Sequence, residues 1–219
     1  MKTGHEKYCI LNQVEFLILH VYLIDKMEKE SLVQLFRKVI PISVEKASEI
    51  SQFFQPKEIL RNGFFLKEGQ VSNEYLFLEN GYMRAYSIDM EGNEIVTNIF
   101  SPGQLVFEVS SYFNRIKSKE YIQAVTDCSG FFLNFNDLNT LFHAVPEFRE
   151  FGRSILVQGF SSYKNRVLSL ITESAEQRYV SLLQNNPGIF QHVPLKYIAS
   201  WLGITDSSLS RIRKEFAKK

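Results

Sequence analysis

Apolar positions along the chain follow three successive patterns, which divide it into a helical part, a strand-rich part and a second helical part. Between residues 28 and 54 apolar residues recur at helical spacing, and Pro41 breaks this run into two short helices because proline cannot continue the hydrogen-bond ladder. Between residues 58 and 136 strand-forming runs alternate with turns about every ten residues, as in small antiparallel sandwiches and barrels. Helical spacing then returns. The predicted fold class is α+β: an antiparallel, jelly-roll-like β-roll of about eight strands with flanking helices.

Turns separate the strands of the predicted roll. Gly63, Gly69 and Gly81 punctuate its first half, and residues 89–93 and 102–103 form two later turns. Strands are predicted at residues 64–66, 75–78, 82–88, 95–100, 121–125 and 131–135.

A long helix is predicted from Pro146 to about Ile171. Its apolar stripe has steps of four, three, four and three residues, which is a seven-residue repeat. Such a period favours coiling against an identical partner helix, while packing on the protein's own sheet is the alternative. The predicted dimerisation stripe consists of Leu156, Phe160, Tyr163, Val167 and Leu170.

The last 25 residues, 195–219, have the pattern of a helix-turn-helix. Each of two short helices has one apolar stripe to bury, with Ile198 and Leu202 on the first and Leu209 and Ile212 on the second. Gly203 stands where the first helix must stop and the chain turn back, a place that favours a left-handed backbone. Thr205 is predicted to cap the second helix. Upstream, Ser174 and Gln177 have the spacing of a capping box, and Pro194 opens the motif.

The second helix of the motif carries hydroxyls and cations away from its apolar stripe. Short hydroxyl side chains permit close approach to a groove wall, and arginines can contact base edges or neutralise phosphates. This pattern predicts a DNA recognition helix, and the alternative is a helical hairpin with a solvated basic face. The predicted DNA-binding residues are Thr205, Asp206, Ser207, Ser208, Arg211, Arg213, Lys214 and, from the first helix, Lys196.

Charge along the chain supports the DNA-binding prediction, although the formal net charge is only +1. Residues 195–219 hold six Lys/Arg against two Asp/Glu, whereas the preceding 194 residues hold 19 against 22. A protein that contacts phosphates with one end only shows this asymmetry, and its binding is sensitive to salt.

Several classes of protein find no support in the sequence. Two cysteines, Cys9 and Cys128, exclude a disulfide framework and a four-thiolate cluster, and the four histidines lack metal-ligand spacing. There is no phosphate-cradling GxxxxGK and no nucleophile with a base at suitable spacing, so no enzyme, cofactor or metal site is predicted. No apolar stretch is long enough to span a membrane, and a cytoplasmic protein is expected.

The first 26 residues have no clean signal peptide, because Glu15 interrupts the apolar run and no small-residue cleavage site follows. Met27 opens a much more regular helical sequence. Residues 1–26 are therefore interpreted as an extension of uncertain status, with Met27 a candidate start of the native protein.

From Met27 onward the chain resembles the CRP/FNR family of bacterial transcription regulators. The resemblance rests on NGFFLKEG, NEYLFLENGYMRAYSIDMEGNE, SPGQLVFEVSSYF, the long helix and, most specifically, SAEQRYVSLLQNNPGIFQHVP followed by LKYIASWLGITDSSLSRIRK. It implies a cyclic-nucleotide-binding-like sensor domain (residues 27–145), a dimerisation helix (146–172) and a helix-turn-helix DNA-binding domain (173–219).

The resemblance also implies a homodimer that places two recognition helices in successive major grooves of a two-fold-symmetric operator. Asp206, Ser207 and Arg211 would face bases, with Thr205 and Ser208 near the backbone. Well-known members have an arginine followed by a glutamate where this chain has Asp206 and Ser207, so their operator is not expected here. Double-stranded DNA and a second copy of the chain are the implied partners, with RNA polymerase a further candidate.

The effector site departs from the family's nucleotide cassette. Glu108 matches the cassette glutamate, but Phe107 replaces its glycine and the cassette arginine falls near Tyr121 or Ile122. A buried phosphate without a cation would cost several kcal/mol, so cyclic AMP is disfavoured and a different ligand, or none, is expected. The candidate pocket residues, each of which can equally have an ordinary loop role, are Phe107, Glu108, Ser110, Ser111, Tyr121 and Gln123.

Two functions remain at this point. The first is a homodimeric, sequence-specific transcription regulator whose roll senses a small molecule or serves as a scaffold. The alternative is a nucleotide-sensing adaptor whose C-terminal helices contact protein instead of DNA.

Overall fold

The structure is a computed structural model that describes residues 29–216. The extension at residues 1–26 and the candidate start at Met27 lie outside the described residues. The chain forms two compact units, Met1–Phe53 and Phe54–Lys219, each of which is described by itself.

The described part of the first unit is a pair of helices, α1 (Glu30–Val39) and α2 (Val44–Ser51), which pack on each other. Pro41 lies between them, where the sequence predicted the break. The Ser43 side chain caps α2 by accepting a hydrogen bond of 3.2 Å from the backbone N–H of Lys46.

The second unit opens with an eight-stranded antiparallel roll made of two four-stranded sheets. One sheet has the strand order β1-β8-β3-β6 and the other β2-β7-β4-β5. A short helix, α3 (Val109–Asn114), separates β6 from β7. The strands are β1 (Gln55–Ile59), β2 (Phe64–Leu66), β3 (Glu74–Asn80), β4 (Met83–Ile88), β5 (Glu94–Phe100), β6 (Gln104–Val106), β7 (Tyr121–Ala124) and β8 (Cys128–Asn134).

Apolar side chains from both sheets form the core of the roll. Leu76, Leu78, Met83, Val106 and Ile122 are its most enclosed members, each at most 1% exposed. The fold class predicted from the sequence is confirmed, and the six predicted strands are present to within a few residues of their ends. The sequence did not reveal strands β1 and β6 or helix α3. Strand β1 (QPKEI) has a single strand-forming residue, and β6 (QLV) and α3 show no clear period, whereas the equally short β2 (FFL) is wholly apolar.

Six helices complete the second unit: α4 (Phe135–Ala144), α5 (Pro146–Thr172), α6 (Ala175–Asn185), α7 (Ile189–His192), α8 (Leu195–Leu202) and α9 (Asp206–Phe216). The 27-residue α5 is the predicted long helix. Ser174 and Gln177 form the predicted capping box at the start of α6, while Pro194 is the residue just before α8.

A second core joins the sheet β2-β7-β4-β5 to the C-terminal helices. Tyr86, Val96, Ile99 and Val125 of the roll pack in one cluster with Tyr179, Leu182, Ile189, Val193, Ile198, Ala199, Leu202, Leu209 and Ile212. The helix pair α8–α9 is therefore docked on the roll through a continuous apolar contact.

Candidate nucleic-acid interface and sensor region

Helices α8 and α9 form the helix-turn-helix that the sequence predicted. Gly203 ends α8 with φ +70°, and its backbone N–H donates to the carbonyl of Ser200 at 3.0 Å. The N–H of Ile204 donates to the carbonyl of Ala199 at 3.0 Å, so the last carbonyls of α8 are satisfied as in a Schellman-type cap. The Thr205 hydroxyl accepts the N–H of Ser208 at 3.3 Å and so caps α9 as expected.

The two faces of α9 differ sharply. Leu209 and Ile212 are 1% and 6% exposed and pack into the second core. Of the predicted DNA-binding residues, Ser208 is half-buried and the others are exposed. Within the described chain, Asp206, Arg211, Arg213 and Lys214 have no hydrogen bond or ion pair that would hold their side chains against the protein, so their charged ends face solvent. The exposed face of α9 thus combines three cations, two carboxylates (Asp206 and Glu215) and several hydroxyls.

The turn of the motif is fixed by two arginines that sequence reasoning missed. Arg166, on α5, donates from Nη2 to the carbonyl of Trp201 at 3.0 Å and from Nη1 to the carbonyl of Thr97 at 2.6 Å. Arg178, on α6, donates from Nε to the carbonyl of Leu202 at 3.1 Å. Both cations lie at the C-terminal end of α8, where they complement the helix dipole.

Helix α5 carries a long exposed apolar stripe. Phe160 is 74% exposed, Tyr163 55%, and Val167 50%. Leu170 differs from the other four predicted residues because its side chain also lies against the turn. A Cβ atom added to Gly203 would be 3.2 Å from Cδ2 of Leu170. The protomer's own sheet therefore leaves most of this stripe uncovered.

The predicted effector residues of the β6–α3 segment are engaged within the roll. The Glu108 carboxylate caps α3 by accepting the N–H groups of Ser110 at 3.1 Å and Ser111 at 2.5 Å. The Ser111 hydroxyl is fully buried, donating to the carbonyl of Ile116 at 2.6 Å and accepting the N–H of Ser72 at 2.8 Å. Phe107 packs against the rings of Tyr75, Tyr112 and Phe113.

The other two predicted effector residues lie on β7, in the opposite sheet. Tyr121 stacks on Tyr86 with ring centroids 5.0 Å apart. Gln123 accepts a hydrogen bond from Arg84 at 2.8 Å and donates to the carbonyl of Asn62 at 3.0 Å. The six residues therefore lie in two places, the α3 segment and strand β7. Five of them already have a partner within the protein: Phe107, Glu108, Ser111, Tyr121 and Gln123.

Arg115 and Lys117 are the cations nearest to this segment in sequence. Arg115 donates to the carbonyl of Ser72 at 2.9 Å and to that of Tyr112 at 3.2 Å, and its guanidinium stacks 3.9 Å above the ring of Phe135. Lys117 is exposed. Arg115 is therefore held by the loop before β3, by α3 and by the ring of Phe135 at the start of α4.

A polar cluster joins β7 to the long helix. Burial raises the pKa of Glu120, and the nearby Glu108 carboxylate raises it further, while the Thr97 hydroxyl and Arg166 act in the opposite direction. Tyr163 of α5 belongs to the same cluster. Partial burial raises the pKa of its hydroxyl, the Glu120 carboxylate raises it further, and Arg166 lowers it.

Replacing Glu120 with glutamine is expected to raise the melting temperature at neutral pH. Because its pKa is higher in the folded than in the unfolded chain, ionised Glu120 destabilises the fold above the folded-state pKa, and this penalty vanishes below the unfolded-state pKa. Thermal melts of Glu120→Gln should show the whole gain in melting temperature at about pH 8. The gain should be absent at about pH 3, where Glu120 is protonated in both the folded and the unfolded chain.

Glu94 provides a control of opposite sign. Its hydrogen bond with Arg84 lowers the pKa of Glu94, so the ionised form stabilises the fold above the unfolded-state pKa. Glu94→Gln should therefore lower the melting temperature at neutral pH, and its effect should fade as the pH falls through the folded-state pKa. Identical pH profiles for the two variants would contradict the assignment.

Residues 29–216 contain no group of three or more His, Cys, Asp or Glu side chains arranged to hold a metal ion. No helix in this range combines the length and the apolar composition that crossing a bilayer requires.

Comparison with known proteins identifies the roll. Residues 56–144 match the family model of the cyclic nucleotide-binding domain. The "Anaerobic regulatory protein" of Haemophilus influenzae is 22% identical over 174 residues, an alignment that covers 74% of this chain and 66% of that protein. The chain thus spans slightly under two-thirds of the length of this relative.

Solved structures share the fold over most of the chain. FixK2 from Bradyrhizobium japonicum has a TM-score of 0.64 at 14% identity, covering 75% of this chain and 85% of its own. A putative CRP/FNR-family transcriptional regulator from Eubacterium rectale has a TM-score of 0.61 at 15% identity, covering 82% and 88%. The Thermus thermophilus catabolite activator protein has a TM-score of 0.52 at 20% identity, covering 84% and 86%.

Proposed function

We propose that the chain is a homodimeric, sequence-specific transcription regulator of the CRP/FNR type, built on a cyclic nucleotide-binding domain, and that it binds double-stranded DNA through α9. The observation that carries the proposal is the surface of α9. Its apolar side packs into the second core, and its cations are exposed to solvent. This division of faces suits a recognition helix in a major groove, with Arg211 toward bases and Arg213, Lys214 and Lys196 toward phosphates.

Dimerisation through α5 is supported by the uncovered stripe. Phe160, Tyr163 and Val167 are each at least half exposed, and Leu156 is 40% exposed. A contiguous apolar surface of this kind is typical of an association site, and its heptad spacing matches a parallel, two-fold helix pair. A two-fold axis through α5 would relate the two copies of α9 by the same symmetry that a two-fold-symmetric operator has.

The sensor region favours an effector other than cyclic AMP, or none. Glu108 already caps α3, and Arg115 is engaged by the carbonyls of Ser72 and Tyr112 and by the ring of Phe135. A cyclic phosphate placed beside Glu108 would meet a carboxylate without a guanidinium to balance it. The cost of a buried, unpaired phosphate, several kcal/mol, is the physical reason to exclude it.

The proposal is tested by the salt dependence of DNA binding. Lys214→Ala should weaken binding to operator and random duplexes alike. It should reduce the slope of log affinity against log salt by about two for the dimer, because each of the two protomers releases about one counterion fewer. Fluorescence anisotropy at a series of salt concentrations measures both. Lys119→Ala, which removes an equally exposed lysine from the roll, is the matched control and should leave the slope unchanged.

Affinity for duplex DNA that does not depend on salt, or equal slopes for Lys214→Ala and the unsubstituted protein, would contradict DNA binding through α9. Retention of a protein partner under those conditions would instead favour the adaptor function.

A further inference from the structure

A buried arginine occupies the middle of a strand at the boundary between the roll and the helix-turn-helix. Arg84 lies on β4 and is only 3% exposed. Burying a guanidinium is costly unless its charge and its N–H groups are satisfied, so its surroundings must be specific.

On the roll side, hydrogen bonds hold the guanidinium in one plane. Nη1 donates to the Glu94 carboxylate at 2.6 Å, while Nη2 and Nε donate to Oε1 of Gln123 at 2.8 Å and 3.3 Å. Glu94 belongs to β5 and Gln123 to β7, the two neighbours of β4 in the sheet. Three adjacent strands thus fix the orientation of one planar group.

The same guanidinium also contacts two aromatic rings. Its central carbon lies 4.0 Å from the ring centroid of Tyr86 and 3.8 Å from that of Tyr197. Tyr86 is on β4, but Tyr197 is on α8, the first helix of the DNA-binding motif. Cation–π contacts at this distance are strong when water is excluded, and this one spans the two parts of the unit.

Other contacts hold α8 in the same place. The N–H of Val96 on β5 donates to the hydroxyl of Ser200 at 2.9 Å. Arg166 connects the carbonyls of Thr97 and Trp201, as described above. Because α8 and α9 share a core, any rotation of α8 on the sheet would carry α9 with it.

We propose that Arg84 is a positioning residue for DNA binding: by stacking on Tyr197 it fixes the orientation of α8, and hence of α9, on the roll. The proposal rests on the DNA-binding function proposed above. In a dimer, the orientation of each α9 sets the separation of the two recognition helices and therefore the half-site spacing that the protein accepts.

The contacts explain why an arginine serves here. A lysine would supply the charge but neither a flat surface for Tyr197 nor the donors for Glu94 and Gln123. A methionine would fill the space without fixing an orientation. Since the Glu94 side chain is 41% exposed, it stays solvated when Arg84 is replaced, so the fold itself should tolerate Arg84→Met.

Trp201 supplies a test that needs no DNA. It is the single tryptophan of the chain and lies on α8, so its fluorescence reports on the surroundings of that helix alone. In Arg84→Met, acrylamide should quench this fluorescence more strongly and the emission should shift to the red, with an unchanged far-ultraviolet circular dichroism spectrum. Arg153→Met is the matched control, because Arg153 makes an exposed ion pair with Glu150 on α5.

The α8 side of the contact provides a second pair of variants. Tyr197→Phe keeps the ring and should behave as the unsubstituted protein, whereas Tyr197→Ala removes the ring and should reproduce the quenching of Arg84→Met. These variants keep the proposal falsifiable if Arg84→Met should fail to fold.

The DNA arm varies the spacing between half-sites. For the unsubstituted protein, affinity should fall steeply when one or two base pairs are inserted or removed at the operator centre. In Arg84→Met and Tyr197→Ala, the ratio of the affinity for the best spacing to the affinity for an altered spacing should fall by about tenfold. A change of this size is typical of the coupling between two parts of a protein. The salt slope should not change, because no phosphate contact is lost.

The outcomes separate the two proposals. Greater quenching together with relaxed spacing supports the positioning role. Unchanged Trp201 quenching in both variants, or unchanged spacing dependence with intact DNA binding, overturns it. If the variants show greater quenching but neither they nor the unsubstituted protein binds DNA, the contact between Arg84 and α8 is upheld. The DNA-binding function and the role of Arg84 in half-site spacing are then both refuted.

Discussion

Replacing Arg211 with alanine is expected to erase the preference of the protein for its operator over random duplex. Arg211 is exposed on α9, away from the buried Leu209 and Ile212, and no group of the described chain holds its guanidinium. A bidentate contact from arginine to a guanine edge discriminates by about 1–3 kcal/mol per site, and a dimer makes the contact twice. Competition binding with operator and random duplexes would show a combined loss of roughly a hundredfold or more in the affinity ratio.

Arg211→Lys is the matched variant, since it keeps the charge and removes the planar pair of donors. It should retain salt-dependent affinity for any duplex while losing most of the preference. Single-base substitutions in each half-site would locate the contact, because the unsubstituted protein should lose affinity at one guanine position and Arg211→Ala should not. Full operator preference in Arg211→Ala would contradict the assignment of this residue.

Replacing Phe160 with glutamate is expected to convert the dimer into monomers and to abolish tight operator binding. Phe160 is 74% exposed in the protomer and lies at the centre of the α5 stripe, so a dimer would bury it against its own copy. Two charges brought together at an apolar interface are strongly unfavourable. Binding two linked half-sites at once typically raises the affinity for the full operator by a factor of about 10² to 10⁴. The monomer should lose this gain in affinity. Sedimentation velocity and binding to full and half operators measure the two effects.

The control for this experiment is Gln158→Glu, which adds the same charge at an exposed position that the helical period places on the opposite side of α5. It should remain dimeric and bind the full operator normally. A dimeric Phe160→Glu protein, or loss of dimers in the Gln158 variant as well, would show that α5 does not associate through this stripe.

Much of the architecture was predictable from the sequence because it is encoded locally. The turn at Gly203 with φ +70°, the cap at Thr205 and the helix from Pro146 each depend on residues close together in the chain. Strands β2 to β5, β7 and β8 were predicted from runs of strand-forming residues between turns. Strand β1 has a single strand-forming residue, and strand β6 and helix α7, with three and four residues, show no clear local pattern, so none of the three was predicted.

The candidate site was predictable only in part. Exposure of the polar face of α9 agrees with the expected recognition helix, but its contact with bases stays a prediction. The effector residues also stay predictions, and the structure adds that Glu108 caps α3 and that Gln123 binds Arg84, more than 30 residues away in the chain. No local pattern in the sequence reveals either pairing.

The sequence by itself determined the order of the parts: a roll of strands, a helix with an apolar heptad stripe, and a terminal helix pair with one basic face. Helical and strand periods suffice for this, since each element must hide its own apolar side. The folded structure was needed to show that the sheet of β4, β5 and β7 shares one core with helix α8, and that Arg84 contacts the rings of both Tyr86 and Tyr197. The physical reason is that a contact between residues more than 100 positions apart depends on how finished elements meet, and no local period specifies that meeting.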